Sequence, residues 1–173
     1  MHQHETVMDV IKRRRTIRKY KGEALPDDVV RVLLEAAMCA PSAGDEKPWL
    51  FIVCNERECL DKLGAAHPYA PMMGQVKTAI LICLDKKQEH LMGQAALGCA
   101  AAAQNLLIAA ESRHLAAAWL GVFPDQERIE AISKALGLPE NVVPFALIPV
   151  GEAGEEKLPK DRFDGSKIRY NKW

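Results

Sequence analysis

Hydrophobic positions along this chain fall into segments of helical and of strand-like spacing. Thr6-Val-Met-Asp9 resembles a capping box with a shorter acid in its last place, and it predicts a short helix over Val7–Arg13. Leu25-Pro26-Asp27-Asp28 opens a second helix. Its acids favour the first turn, Val29, Val30, Leu33, Leu34 and Ala37 form an apolar face, and it stops before Pro41. Trp49–Cys54 is β-branched and aromatic, which predicts a strand. Asn55-Glu-Arg-Glu58 then caps a helix through about Ala66, followed by a loop over His67–Gly74 with Pro68 and Pro71. Ala79–Leu84 is apolar without interruption, as expected of a strand buried on both faces. Leu115–Phe123 reads as a third strand turned by Pro124-Asp125, Glu127–Leu136 as an amphipathic helix ended by Gly137, and Phe145–Val150 as a fourth strand.

The longest predicted helix runs from about Gln88 to Ser112. From Ala95 to Ala110 it is apolar nearly all round, apart from Gln104 and Asn105, so most of its circumference needs cover. Its side chains are small, which allows close approach of another backbone, and a partner subunit across a two-fold axis is the simplest source of that cover. The alternative is a central helix buried within one subunit. After Gly151 the periodicity fades into a charged tail. That tail still carries Phe163, Ile168, Tyr170 and Trp173, so it is expected to dock on something. The mixture of helices and strands predicts one layered α/β or α+β domain over residues 1–173.

Composition narrows the function classes. The chain has 173 residues, and its 23 Lys+Arg balance 23 Asp+Glu. Zero net charge gives no whole-chain attraction to nucleic acid or membrane. The five cysteines are odd in number and form no Cys-x-x-Cys, so reduced thiols in a cytoplasmic protein are expected. The sequence shows no apolar run that could serve as a signal peptide or membrane span. The balance is uneven, however: residues 1–21 carry +5, residues 22–150 carry −6 and residues 151–173 carry +1. Seven of the ten residues in Lys12–Lys21 are Lys or Arg.

Dinucleotide-binding, P-loop, nucleophile-elbow and zincin motifs are absent. The internal histidines His67, His90 and His114 show no ligand spacing, and His2 and His4 are read as an inert terminal pair, so no metal site is assigned. Three readings of Lys12–Lys21 remain open on spacing alone. It is a solvated basic face, a nucleic-acid patch, or a pocket for one compact anion. The third draws on Arg14, Thr16 and Arg18, which alternate and share a face when extended. Two guanidinium forks and a hydroxyl suit a phosphomonoester.

Across nearly its whole length the sequence resembles the short form of the FMN-dependent nitroreductase-like flavoproteins. Arg14-Arg15-Thr16-Ile17-Arg18 is similar to the family's Arg-Arg-Ser-x-Arg phosphate motif. Ala40-Pro41-Ser42-Ala43-Gly44-Asp45-Glu46-Lys47-Pro48-Trp49 is similar to Ala-Pro-Ser-x-x-Asn-x-Gln-Pro-Trp. Gln104–Ala110, Trp119-Leu120-Gly121-Val122, Leu136-Gly-Leu-Pro139, Pro149-Val-Gly151, Arg162-Phe-Asp164 and Asn171-Lys-Trp173 follow in the family's order.

The resemblance implies an α+β three-layer sandwich with a mostly antiparallel sheet between helices. It also implies a homodimer cored by the long helix, with the C-terminal tail extended onto the partner. It places FMN, with NADH or NADPH as reductant. Arg14, Thr16 and Arg18 would hold the phosphate, with Arg15 nearby toward the flavin pyrimidine, and Lys160 and Arg162 would close on the phosphate from the tail. Pro41, Ser42, Ala43 and Asp45 would meet the isoalloxazine from the partner subunit. Leu120, Gly121 and Val122 would run along the ring's other side, with a backbone N–H near Gly121 donating to flavin N5. The reaction implied is two half-reactions through N5, ending on an electron-poor acceptor of nitroaromatic or quinone type. No side chain is assigned as catalytic, and Tyr69, Met72 and Met73 are candidates for the acceptor pocket. Asp45 and Lys47 depart from the family's Asn and Gln. An ionised Asp45 cannot donate as an amide does, and Lys47 stands close enough in sequence to offset its charge. The rivals are a flavoprotein of the same fold that dehalogenates, breaks down or only binds flavin, and a nucleic-acid module using residues 12–21.

Overall fold

A computed structural model describes residues 6–86 and 92–173, and its last strand organises the sheet. Strand β6 (Val142–Ala153) pairs antiparallel with β3 (Thr78–Asp85), from Thr78 opposite Val150 to Asp85 opposite Val142. β3 pairs antiparallel with β2 (Trp49–Cys54), which has no strand beyond it among the described residues. β6 also carries three two-residue strands: β1 (Tyr20–Lys21), β4 (Ala116–Ala117) and β5 (Leu120–Gly121). β1 had no counterpart in the sequence reading. The third predicted strand is two short ones in a single register. Its interruption lies opposite Pro149: Ala118 N–H donates to the Pro149 carbonyl at 3.3 Å, but proline has no N–H to return the bond.

Helices cover both faces. Helix α1 (Val7–Arg13) has the predicted cap, with Thr6 and Asp9 bonding each other's backbone. Helix α2 (Asp27–Met38) and α4 (Met92–Ser112) pack on one face, α3 (Arg57–Ala66) and α5 (Gln126–Leu136) on the other. The alternation of β3 divides the core: Ile80, Ile82 and Leu84 enter the layer with Leu33 and Leu106, while Ala79, Leu81 and Cys83 join Leu60, Leu63 and Ile132. This is why β3 reads as an unbroken apolar run, and it gives the three-layer sandwich expected from the resemblance.

Residues 88–91 of the predicted long helix, and His2 and His4, lie outside the described residues. No described helix is long and apolar enough to cross a membrane. Cys54 and Cys59, expected as reduced thiols, face each other across the β2–α3 turn with Cα atoms 5.9 Å apart, a spacing from which the two could pair. Cys83 is a buried thiol whose pKa is pushed up to about 12, chiefly by burial.

Candidate functional site

The basic segment begins where α1 ends, and its position is set from the far end of α4. Arg13 pairs with the Glu111 carboxylate and donates from Nη2 to the Glu111 carbonyl at 3.1 Å. The chain then leaves the helix at Arg14 with ψ 128° and runs extended. Thr16 bridges parallel to Ala117, and Ile17 N–H donates to the Ala117 carbonyl at 3.2 Å. Burial alternates along this stretch. Arg15 and Ile17 are inside, while Arg14 and Thr16 are half-buried and Arg18 is exposed. Arg14, expected to share a face with Thr16 and Arg18, lines a different cavity from those two, while the buried Arg15 lines both.

The start of the C-terminal tail is laid against this segment in antiparallel order. Gly154 N–H donates to the Lys19 carbonyl at 2.8 Å, and Arg18 N–H donates to Glu155 Oε1 at 2.7 Å. Lys157 Nζ donates to the Thr16 carbonyl at 2.9 Å, and Arg15 Nε donates to the Leu158 carbonyl at 3.0 Å. This strap brings Lys160 and Arg162 to the walls of two cavities that flank it. One, of about 610 Å³, is lined by Arg15, Thr16, Arg18, Lys157, Lys160 and Arg162, with Leu158 and Pro159. The other, of about 600 Å³, is lined by Ile11, Lys12, Arg14, Arg15, Gln104, Lys160, Arg162 and Phe163, among others. Among the described residues, Asp161 is the one acid on either wall.

This concentration of cations has an electrostatic signature. The Arg14 pKa is lowered, first by burial and then by the positive charges of Arg162 and Arg15, against a smaller opposing effect of Glu111. Arg15 is the most committed side chain. Its Nη1 donates to the carbonyls of Lys12 at 2.9 Å and Arg14 at 2.6 Å, while its buried Nη2 has no hydrogen-bond partner among the described residues. An unpartnered guanidinium nitrogen beside half a dozen cations fits a phosphate dianion: it supplies a donor where charge and geometry both call for an acceptor. The FMN expected from the resemblance passes this test at its phosphate end.

The other expected contacts lie elsewhere. Pro41 and Ala43 are exposed and Ser42 is half-buried, in a loop whose single 3₁₀ turn spans Ala43–Asp45. Gly44, Asp45 and Lys47 have φ of 59°, 57° and 50°. Ser42 Oγ accepts from Lys47 N–H at 3.0 Å, and Lys47 Nζ meets Asp45 Oδ2 at 3.0 Å. The two departures from the family motif thus neutralise one another. The loop packs on α4 at Gly98, where an added Cβ would sit 3.5 Å from both Ser42 Cβ and Pro48 Cγ. In β5, Leu120 is buried and Gly121 half-buried, the following Val122 is buried, and an added Cβ at Gly121 would meet nothing within 4 Å. Neither the 41–45 loop nor β5 lines the two cavities at the clamp.

The loop candidates divide. Met72 and Met73 are core residues under α3 and do not line a pocket for an acceptor. Tyr69 is exposed, with the Arg128 guanidinium 5.2 Å from its ring centroid. Sequence reasoning missed Glu155, Lys157, His67 and Arg128. None stands in a motif, and each acts on a carbonyl or an N–H of a distant segment, except Arg128, which reaches back seven residues to Gly121. No group of three or more His, Cys, Asp or Glu suited to a metal occurs among the described residues.

The sequence model of the Nitroreductase family matches residues 11–67 and 56–152. A Methanothermobacter thermautotrophicus protein, described as a candidate NADH dehydrogenase/NAD(P)H nitroreductase, is 42% identical over 167 residues, covering 96% of this chain and 87% of its own. A crystal structure with the same description from Parabacteroides distasonis superposes with a TM-score of 0.92 at 36% identity, covering 98% of this chain and 100% of that one. A candidate nitroreductase of Desulfovibrio desulfuricans, solved in complex with FMN, gives 0.85 at 30% identity with 99% of each chain covered.

Proposed function

The chain belongs to the nitroreductase family, and from that premise we propose that it is an FMN-dependent NAD(P)H oxidoreductase that reduces an electron-poor acceptor of nitroaromatic or quinone type. The observation that carries the cofactor assignment is the two-ended cationic clamp around the unpartnered Arg15 Nη2. Arg14, Thr16 and Arg18 hold the phosphate from one side and Lys160 and Arg162 from the strap; Arg15, expected nearby toward the flavin pyrimidine, lines both cavities and is read here as a further donor to the phosphate. When bound, FMN supplies the carriage of hydride from NAD(P)H to the acceptor, which no side chain of this protein can perform.

The protein's own part is to place and shield the ring. On either side of β5, Ala118 and Val122 donate to β6, so the alternation of an antiparallel ladder turns Gly121 away from it. Its N–H is thereby available to flavin N5, and the open space above Gly121 admits a flat ring. Pro41, Ser42, Ala43 and Asp45 act on the ring bound by the partner subunit. The half-exposed and exposed face of α4, with Gly93, Leu97, Ala101, Gln104 and Ile108 at helical spacing, supports a homodimer built on that helix. Residues 1–173 act as one unit in which 151–173 complete the cofactor site and cover the partner, in the cytoplasm.

The nucleic-acid reading loses its basis in the geometry of residues 12–21. Arg13 pairs with Glu111, Arg15 is buried, and Lys21 pairs with Glu152 at 2.9 Å, so the run is divided among separate tasks. The deciding experiment is an anaerobic absorbance spectrum before and after NADH or NADPH. A yellow protein that bleaches, and recovers colour on adding a nitroaromatic or quinone, is expected. A protein that stays colourless after incubation with FMN contradicts the proposal, and a yellow one that fails to bleach favours a flavoprotein with another activity.

A further inference from the structure

We propose that Cys54 and Cys59 form a reversible thiol–disulfide site whose oxidised form staples the start of α3 to the end of β2 and steadies Arg57 between them. The site is independent of the cofactor.

The two residues are placed for a bond. Cys54 is the last residue of β2 and Cys59 lies in the first turn of α3, with Cα atoms 5.9 Å apart, inside the range that a disulfide spans. Both side chains enter the layer that holds Leu60, Leu63 and Leu81, so they approach from the same side. Their exposure differs: Cys54 is 2% exposed, whereas Cys59 is half-buried. A reagent in solution therefore reaches Cys59 first. Cys83 and Cys99 are buried in the core, and Cys39 is exposed at the end of α2, on the other face of the sheet.

Oxidation takes a small disulfide, such as oxidised glutathione, as co-reactant. The Cys59 thiolate attacks its S–S bond and releases one glutathione. The Cys54 thiolate then attacks the Cys59 sulfur and releases the second. Two protein thiols become one disulfide, one small disulfide is reduced to two thiols, and the two thiol protons pass to the glutathiones released. In a reducing compartment such a pair cycles rather than persists.

Arg57 is what the bond would hold. Helix α3 begins without help from its cap, because the Glu56 side chain makes no capping bond, and uncapped helix ends fray. Arg57, the first helical residue, nevertheless holds distant backbone. Its Nη2 donates to the Met73 carbonyl at 2.5 Å and its Nη1 to the Val76 carbonyl at 3.2 Å, and it pairs with Asp61 at 2.9 Å. It thereby ties down the segment through which the His67–Gly74 loop returns to β3. A bond from Cys54 to Cys59 closes a ring over the four residues between them and restricts the frayed conformations in which Arg57 leaves these carbonyls.

The test incubates the full chain anaerobically with excess oxidised glutathione, traps free thiols with N-ethylmaleimide in denaturant, and identifies the peptides by mass. Cys54 and Cys59 are expected linked and free of maleimide, and both labelled again after dithiothreitol. Cys54→Ala should stop at a glutathione adduct on Cys59. In Cys59→Ser, the buried Cys54 should take up no glutathione. The linked wild type should unfold with an equilibrium constant about 10- to 30-fold smaller than the reduced protein. It should also show slower hydrogen exchange at Gln75 and Val76, whose N–H groups bond the Met72 carbonyl, a change absent from Cys59→Ser treated in the same way. Maleimide on both wild-type cysteines after oxidation, or a glutathione adduct on Cys59 that goes no further, overturns the site. A linked pair with unchanged exchange at Gln75 and Val76 overturns the hold on Arg57. If Cys54→Ala does not fold, the wild-type peptides decide alone.

Discussion

At the scale of single residues, the proposed clamp is a set of cations brought close together at a cost that a bound anion would offset. Arg14 carries the evidence in its lowered pKa, and Arg15 in its unpartnered nitrogen. Charge-assisted bonds to a phosphate contribute about 1.5–3 kcal/mol each. Arg14→Ala should therefore weaken FMN binding about 10- to 150-fold, read by quenching of flavin fluorescence on titration. An unchanged titration would remove Arg14 from the phosphate site.

A second residue-scale prediction concerns the strap. The Glu155 carboxylate is held below its ordinary value of 4.5, first by the Arg18 N–H and then by Lys157. A carboxylate with a depressed folded pKa contributes fully above its unfolded value and loses that contribution as pH falls through the folded one. The stability difference between wild type and Glu155→Gln, read by denaturant titration, should stay constant from neutral pH down to about 4.5 and shrink only below it. No difference at pH 7 would show that the strap does not depend on this ion.

At the scale of elements, local signals and tertiary constraint divide the work. Helix α5 shows the first. Asp125 caps it by accepting from Arg128 N–H at 3.1 Å, and Gly137 ends it at φ 63°. An alanine at that left-handed position is strained, so Gly137→Ala should destabilise the protein by about 1 kcal/mol in denaturant titration. β4 and β5 show the second. Their own residues, Leu115–Phe123, read as one strand, and the break is imposed by Pro149 on the strand opposite. β1 was illegible for a related reason: two residues beside a run of Lys and Arg carry no period, and only pairing with Glu152 and Ala153 makes them a strand. The approach of Cys54 to Cys59 likewise depends on the turn between β2 and α3, which composition cannot see.

At the scale of the whole molecule, much apolar surface on one chain lacks cover. Leu97 of α4 is 71% exposed, Phe163 80% and Trp173 99%. Exposed side chains of this size on α4 and the tail agree with the proposed dimer. Sedimentation at micromolar concentration should give about twice 19.2 kDa. On the proposed dimer, Leu97→Glu should shift the species toward the monomer and lower FMN affinity although the clamp is intact, because the proposed contact of the 41–45 loop with the partner's ring would be lost. A monomeric wild type would remove that second half of the site.

The sequence alone determined the five helices and the long strands β2, β3 and β6, and it supplied the motif from which the clamp is proposed. Period, caps and breakers act within a few residues of one another, and a motif lies in contiguous chain. Tertiary structure alone decided where the tail lies, since Arg15 meets the Leu158 carbonyl across 143 residues. It alone set the break between β4 and β5 and brought His67 to Gly121 across 54 residues. These contacts follow from the packing of whole elements, and the single chain leaves no local trace of them. The neutral balance of charge is a further instance. It averages over the chain, whereas folding gathers Arg14, Arg15, Arg18, Lys160 and Arg162, from its two ends, around one pair of cavities.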